Sequence, residues 1–220
     1  MVMPILQGKL RGYRWVVGSS THGCWLGSYE HAKRRLFEQI VKPGDVVYDV
    51  GANVGFYSLL ASELVSTSGR VFAFEPVPRN IDLLKRHIQI NKRENVCIIE
   101  CVVGDSIGTA RFALGDDYST GSIASSGSLL VQTLTLDSLV NQETILPPNV
   151  VKIDVEGAEL EVLTGAQGIL EHRRCSIFLS THGQDIHQEC CKRLQMFGYS
   201  LRPITDIPLA NSDEILATPG

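Results

Sequence analysis

The 220-residue chain has no run of about 18 apolar residues, the length a membrane-spanning helix needs. No charged-then-apolar signal segment follows Met1, so the cytoplasm is the expected location. No long run of Lys or Arg appears, and the net charge is -4. That balance argues against a nucleic-acid partner and against an anionic membrane surface. The six cysteines (Cys24, Cys97, Cys101, Cys175, Cys190 and Cys191) form no C-x-x-C pair. Their spacing matches neither a zinc site nor a secreted disulfide scaffold, so all six are expected as reduced thiols. Cys97 and Cys101 share a parity in one expected strand and read as small core residues. No internal repeat is visible. A chain with 44% hydrophobic and 20% charged residues is a soluble globular protein of one domain, or one domain with a modest insertion.

What is present is concentrated in the stretch from Val46 to Gly55. Its β-branched residues Val46, Val47 and Val50 predict a buried strand with Asp49 at the carboxyl end. Gly51, Asn53 and Gly55 follow, residues that tolerate positive φ. The apolar run Phe56–Ala61 then begins a helix. Strand, glycine turn and helix form the first unit of a nucleotide-binding α/β sheet, with the ligand over the strand's carboxyl end. Glu75 ends the next apolar strand, about 20 positions past the turn, where an acidic residue meets ribose hydroxyls. A dinucleotide turn needs a glycine where Asn53 stands, and a carboxylate at Asp49 would repel a diphosphate. Such a carboxylate suits the ammonium and sulfonium of S-adenosylmethionine, which is therefore favoured over NAD.

Residues 1–29 form an N-terminal extension of short strands or loop, in which Trp25 and Tyr29 either wall a pocket or anchor the segment. From residue 30 to 220 the pattern is one domain. A helix over Glu30–Val41 turns Leu36, Phe37, Ile40 and Val41 inward and Lys33, Arg34 and Arg35 outward. A helix from Pro76 and Pro78 to about Asn91 follows Glu75, and Val96–Val102 reads as a third buried strand. An insertion over about 104–135 replaces the next helix with a hairpin-like pair, Thr109–Leu114 and Leu129–Thr135. Its polar loop 115–128 reads as a substrate-side lid or a linker. Val150–Asp154 is a fourth strand, followed by a helix from Val155 to about Leu170. Cys175–Ser180 is a fifth strand, and Asp185–Phe197 a helix. Tyr199–Arg202 and Ile215–Ala217 are expected to close the sheet. The alternation predicts an α/β fold, a mostly parallel sheet with helices on both faces.

Three stretches carry a resemblance: residues 47–58 (VYDVGANVGFYS), 72–76 (FAFEP) and 152–159 (KIDVEGAE). Together they resemble the FkbM family of S-adenosylmethionine-dependent methyltransferases, over about Tyr29 to His182. The resemblance implies the class I methyltransferase (Rossmann-like) fold and methyl transfer to an oxygen of a small molecule or sugar. It implies that Asp49, Gly51, Asn53 and Gly55 cradle the methionine part, with Ala52, Tyr57 and Pro76 beside them. It implies that Glu75 holds the ribose, that Val103 and Asp105 meet the adenine, and that Asp154 lies beside the methyl group. In one place the chain departs from the family's pattern: Ser180-Thr181-His182 stands where members often carry Glu-x-His.

A hydroxyl acceptor must lose a proton to become a good nucleophile. His182 and Asp154 end strands on the ligand edge, and imidazole titrates near neutrality, so His182 is the expected base. Glu156 and Glu159 fall in the first turn of the expected helix; Glu156 is the better pocket candidate and Glu159 suits the helix dipole. His187, on a later helix, is expected at the surface. Some O-methyltransferases use a divalent cation, and Asp154, Glu156 and His182 could offer ligands; their sequence spacing proves nothing, so a metal is a minority reading and is not favoured. Two other readings stand: an NAD-dependent oxidoreductase, and a cofactor-binding domain that acts as a non-catalytic interaction module.

Overall fold

The computed structural model describes residues 1–114, 121–123 and 127–220. In chain order the elements are β1 (Val2–Pro4), β2 (Arg14–Val16), α1 (His22–Leu26), α2 (His31–Ile40), β3 (Val46–Val50) and α3 (Phe56–Leu64). Next come β4 (Arg70–Phe74), α4 (Pro78–Ile90), β5 (Val96–Ile99), β6 (Val102–Val103), β7 (Gly108–Leu114), β8 (Gly121–Ile123) and β9 (Leu129–Leu134). The chain continues with α5 (Leu136–Asn141), β10 (Val150–Ile153), α6 (Glu159–Thr164), α7 (Gln167–His172), β11 (Ser176–Ser180) and α8 (Gln184–Met196). It ends with β12 (Tyr199–Pro203) and β13 (Glu214–Pro219).

Among the described residues, seven strands form one sheet in the order β12-β13-β11-β10-β3-β4-β5. Strands β11, β10, β3, β4 and β5 are parallel, and β13 is antiparallel to both its neighbours. The strand order reverses between β3 and β10. At such a point the loops leave in opposite directions and open a crevice above the strand ends. β3 is apolar on both faces because both are covered: Val47, Tyr48 and Val50 are buried in two separate clusters. The register across β3 and β10 sets Lys152 directly beside Asp49.

The insertion forms a separate sheet, β6-β9-β7-β8, with β7 and β9 antiparallel from Gly108↔Thr133 to Phe112↔Leu129. The expected hairpin is therefore present. Most of the 115–128 loop read as a lid or linker lies outside the described residues.

Several expectations need correction. Val96–Val102 is not one buried strand: β5 is the exposed edge of the main sheet, and Val102–Val103 joins the insertion sheet. Cys97 is accordingly exposed, whereas Cys101 is buried. The helix after β10 starts at Glu159, because Glu156 (φ 56°) and Gly157 (φ 103°) both take left-handed backbone. It also breaks before Ala166. A side chain at Gly165 would lie 2.0 Å from the carbonyl oxygen of Gly104, so α6 and α7 separate around a close backbone contact. Lys33 and Arg34 are buried rather than outward, because α2 is covered on that side as well. His187 is buried too, with Nδ1 against Thr181 Oγ1 (3.1 Å) and Nε2 against the carbonyl of Leu209 (2.9 Å).

Residues 1–29 pack into the same core as the sheet. β1 and β2 pair, and Ile5, Leu10, Trp15 and Cys24 join the cluster containing Phe37, Val47 and Leu59. The Trp15 indole stacks on His87 of α4 with centroids 3.8 Å apart.

Candidate active site

A cavity of about 520 Å³ opens above the carboxyl ends of β3, β4 and β10. The turn after β3 forms its floor. Gly51 (φ 76°), Asn53 (φ 49°) and Gly55 (φ 94°) alternate in left-handed backbone. Gly51 has a steric reason as well: a Cβ there would stand 1.9 Å from the carbonyl oxygen of Asp154. The N–H groups of Gly51 and Ala52 both donate to the Phe74 carbonyl, at 3.1 and 2.9 Å, which ties the turn to β4. Lys152 Nζ donates to the Gly51 carbonyl at 2.9 Å and fixes it from below.

Asp49 needs correcting in its surroundings. It is 1% exposed and absent from the cavity wall; Ser58 Oγ donates to it at 2.6 Å and Lys152 Nζ lies 3.2 Å away. Its charge is matched inside the protein, so it acts on a ligand only through Lys152 and the turn. Glu75 does line the cavity. One of its oxygens accepts from Asn53 N–H (2.8 Å), the other from Val77 N–H (3.0 Å) and Asn80 Nδ2 (3.2 Å). Burial raises its carboxyl pKa, and these three donors partly offset the rise. Pro76, Tyr57, Ala52 and Val103 also reach the cavity, whereas Asp105 is exposed and bonded to Ser106 outside it. Val77, Val102, Val103 and Phe112 form an apolar wall of the cavity.

At the other end, Asp154 and Glu156 line the cavity and His182 stands behind them. His182 Nε2 is 3.7 Å from Asp154 Oδ1 and 3.4 Å from Glu156 Oε2, while Nδ1 is 2.8 Å from Glu159 Oε1. The hydrogen bond with Glu159 raises the imidazole pKa, more than burial lowers it. Burial alone would raise the Asp154 carboxyl, but Lys152, Lys33 and His182 outweigh it and hold that pKa down. Glu159 behaves likewise, held ionised by His182 and the Gly157 N–H despite its burial.

Beneath this rim lies a network that sequence reasoning missed. Lys33, 2% exposed, is 2.6 Å from Glu30, 2.5 Å from Glu214, 3.0 Å from Ser180 Oγ and 3.7 Å from Asp154. Tyr57 donates its hydroxyl proton to Glu30 at 2.9 Å. Lys33 and Lys152 each lie 5.6 Å from the Tyr57 ring centroid, within cation–π range. Only Lys152 left a trace in the sequence, as a lone cation inside the apolar run Val-Val-Lys-Ile. Among the described residues, Glu30, Asp49, Asp154 and Glu214 thus meet the two ammonium groups, while Glu156 and Glu159 meet the His182 imidazole, six carboxylates against three basic groups. The site carries net negative charge and fits a cationic ligand. Ser20, Cys24 and Tyr29 of the N-terminal segment also line the cavity.

A glycine turn at the sheet's reversal point, a cavity-lining carboxylate after β4 and an acidic rim fit the class I methyltransferase fold. Residues 49–201 match the methyltransferase FkbM domain, and the chain belongs to that family. It is 34% identical over 139 residues to the hexuronic acid methyltransferase AglP of Haloferax volcanii, covering 62% of this chain and 56% of that protein. It is 36% identical over 77 residues to the 31-O-demethyl-FK506 methyltransferase FkbM of Streptomyces tacrolimicus, covering 35% and 29%. The chain thus spans about half, or less, of the length of these relatives. The methyltransferase FkbM structure from Methylobacillus flagellatus KT shares the fold, with a TM-score of 0.58 at 15% identity over 90% of this chain and 55% of that one.

Proposed function

We propose that this chain transfers a methyl group from S-adenosylmethionine to a hydroxyl of a small molecule or sugar. The observation that carries this reading is the single cavity wall shared by the Gly51–Gly55 turn, Glu75 and Asp154. The turn and Glu75 suit the amino-acid and ribose parts of the donor, and the wall of Val103 and Phe112 suits its adenine. The excess of carboxylates suits its cationic centre. Bound there, S-adenosylmethionine would supply a methyl group already activated on sulfur. The chain's own work is positioning and proton handling. Asp154 and Glu156 face the cavity, and His182 behind them shares the proton load, its basicity raised by Glu159. The neighbouring Tyr29 and Tyr57 hydroxyls are pushed up in pKa by burial and by Glu30, so they remain neutral donors rather than bases.

Calorimetric titration with S-adenosylmethionine, S-adenosylhomocysteine and NAD, repeated on Glu75→Ala, tests the reading. The two adenosyl ligands are expected to bind and NAD not. Glu75→Ala should weaken adenosyl binding by about tenfold or more, since a lost charge-assisted hydrogen bond is worth about 1.5–3 kcal/mol. Binding of NAD alone would return the site to the oxidoreductase reading.

A further inference from the structure

We propose that Asp154, Glu156 and His182 hold a divalent cation that seats the acceptor's hydroxyl beside the cofactor. The cation half stands on the geometry alone; the acceptor half rests on the methyltransferase reading above. One oxygen of each carboxylate and one imidazole nitrogen all lie within 4.8 Å of one another. Nε2 of His182 is 3.4 and 3.7 Å from the nearest carboxylate oxygens. Charge-assisted hydrogen bonds are shorter, about 2.7–2.9 Å. Ligands bonded at about 2.1 Å to one ion stand about 3.0–3.4 Å apart, close to the spacing seen.

The other face of the imidazole supplies an independent observation. Nδ1 is 2.8 Å from Oε1 of Glu159, a residue with 0% exposure that also accepts the Gly157 N–H at 3.0 Å. A buried carboxylate on the far nitrogen fixes the tautomer of a metal-binding histidine and leaves the Nε2 lone pair free. The second oxygen of Glu159 is buried without a hydrogen-bond partner. A carboxylate so placed stabilises positive charge on the imidazole or beyond it. Lys33 and Lys152 are ion-paired with the other oxygen of Asp154, Oδ2, at 3.7 and 3.8 Å. Its Oδ1 is the oxygen turned to His182.

Two carboxylates and one imidazole form a hard, oxygen-rich set that suits Mg²⁺ or Mn²⁺ and leaves coordination positions for solvent or substrate oxygens. Asp154 and Glu156 also line the cavity, so those positions face the acceptor. An acceptor with a chelating pair of oxygens, such as a vicinal diol or hydroxy acid of a sugar, is the class this arrangement selects. A cation held there would lower the pKa of the acceptor hydroxyl, whose proton would leave to solvent. The oxygen then forms the new bond to the methyl carbon as the sulfur–methyl bond breaks, and its electron pair stays on sulfur.

The test is Mn²⁺ titration of the purified chain followed by electron paramagnetic resonance, with S-adenosylhomocysteine calorimetry in parallel. One Mn²⁺ per chain is expected. Glu156→Gln and His182→Asn, both at partly exposed positions, should each weaken it at least tenfold with S-adenosylhomocysteine binding retained. Glu159→Gln should weaken it about 10–100-fold as an outer partner. Glu189→Gln, on the exposed face of α8, should change nothing. If Mn²⁺ does not bind, or binds equally well to Glu156→Gln and His182→Asn, the proposal is overturned and His182 closes the cluster as an imidazolium. Failure of S-adenosylhomocysteine to bind with Mn²⁺ site intact would instead overturn the methyltransferase reading and the acceptor half with it.

Discussion

Gly51 and Gly55 share one turn and one left-handed backbone, yet they have different neighbours. An alanine Cβ at 51 would meet the Asp154 carbonyl at 1.9 Å, a backbone atom that cannot yield without moving β10's carboxyl end. At 55 it would meet Leu84 Cδ1 at 2.3 Å, the end of a rotatable side chain. Both variants carry the left-handed penalty of about 1–2 kcal/mol. Gly51→Ala should therefore lose about 1–3 kcal/mol more than Gly55→Ala in urea unfolding, the added cost of overpacking. Equal losses would mean that the close approach does not constrain the turn. The turn residues were legible in the sequence because their requirement is local: positive φ selects Gly and Asn wherever it occurs. Lys33 was not, because two of its acceptors, Ser180 and Glu214, come from distant segments and nothing in α2 alone marks an inward lysine. Asp49 was read correctly as a strand-end carboxylate. Its cation proved to be Lys152 across the register, a pairing that the sequence does not display.

At the scale of elements, the join between β2 and α4 carries a titratable group. His87 of α4 is buried and accepts the Val16 N–H at Nε2 (3.0 Å), while Nδ1–H faces the Val54 carbonyl (2.8 Å). Only the neutral imidazole satisfies both contacts. Burial lowers its pKa, and Arg86 adds to the shift, against the Val54 hydrogen bond. A histidine whose folded pKa lies below the unfolded value of about 6.5 gives its full stability above that pH and loses it as pH falls towards the folded value. The urea midpoint of the wild type minus that of His87→Gln should thus shrink on going from about pH 7.5 to about pH 5. His182, whose pKa is raised, works in the opposite sense in both proteins and cancels in the difference. A difference independent of pH would show that His87 is not held neutral. The major helices and parallel strands were legible from apolar period, since each buries a whole face. The break between α6 and α7 was not, because it depends on Gly104 approaching Gly165 from another part of the chain. The edge position of β5 was hidden for a related reason, as an apolar run does not say how many neighbours it will have.

For the molecule as a whole, the cavity is assembled from segments far apart in sequence. Ser20, Cys24 and Tyr29 come from the N-terminal segment, Gly51–Tyr57 from the turn after β3, Val103 and Phe112 from the insertion sheet, and Asp154–Ala158 from the loop after β10. A ligand filling that space ties all of them together. At 100 times its dissociation constant it adds about 2.7 kcal/mol to stability. For a chain of this size that is a rise in Tm of about 5–10 °C. Global stabilisation alone slows only amides that exchange through complete unfolding, whereas loop amides exchange through local opening. S-adenosylhomocysteine should therefore slow hydrogen exchange at loop amides in 20–29, 51–57 and 154–158 and leave the turn at 204–211, remote from the cavity wall, unchanged. Protection of 51–57 without protection of 20–29 would make the N-terminal segment an anchor packed on the domain. Protection of both would make it a wall of the site, and Tyr29 a contact of whatever lies between the cofactor and the cation.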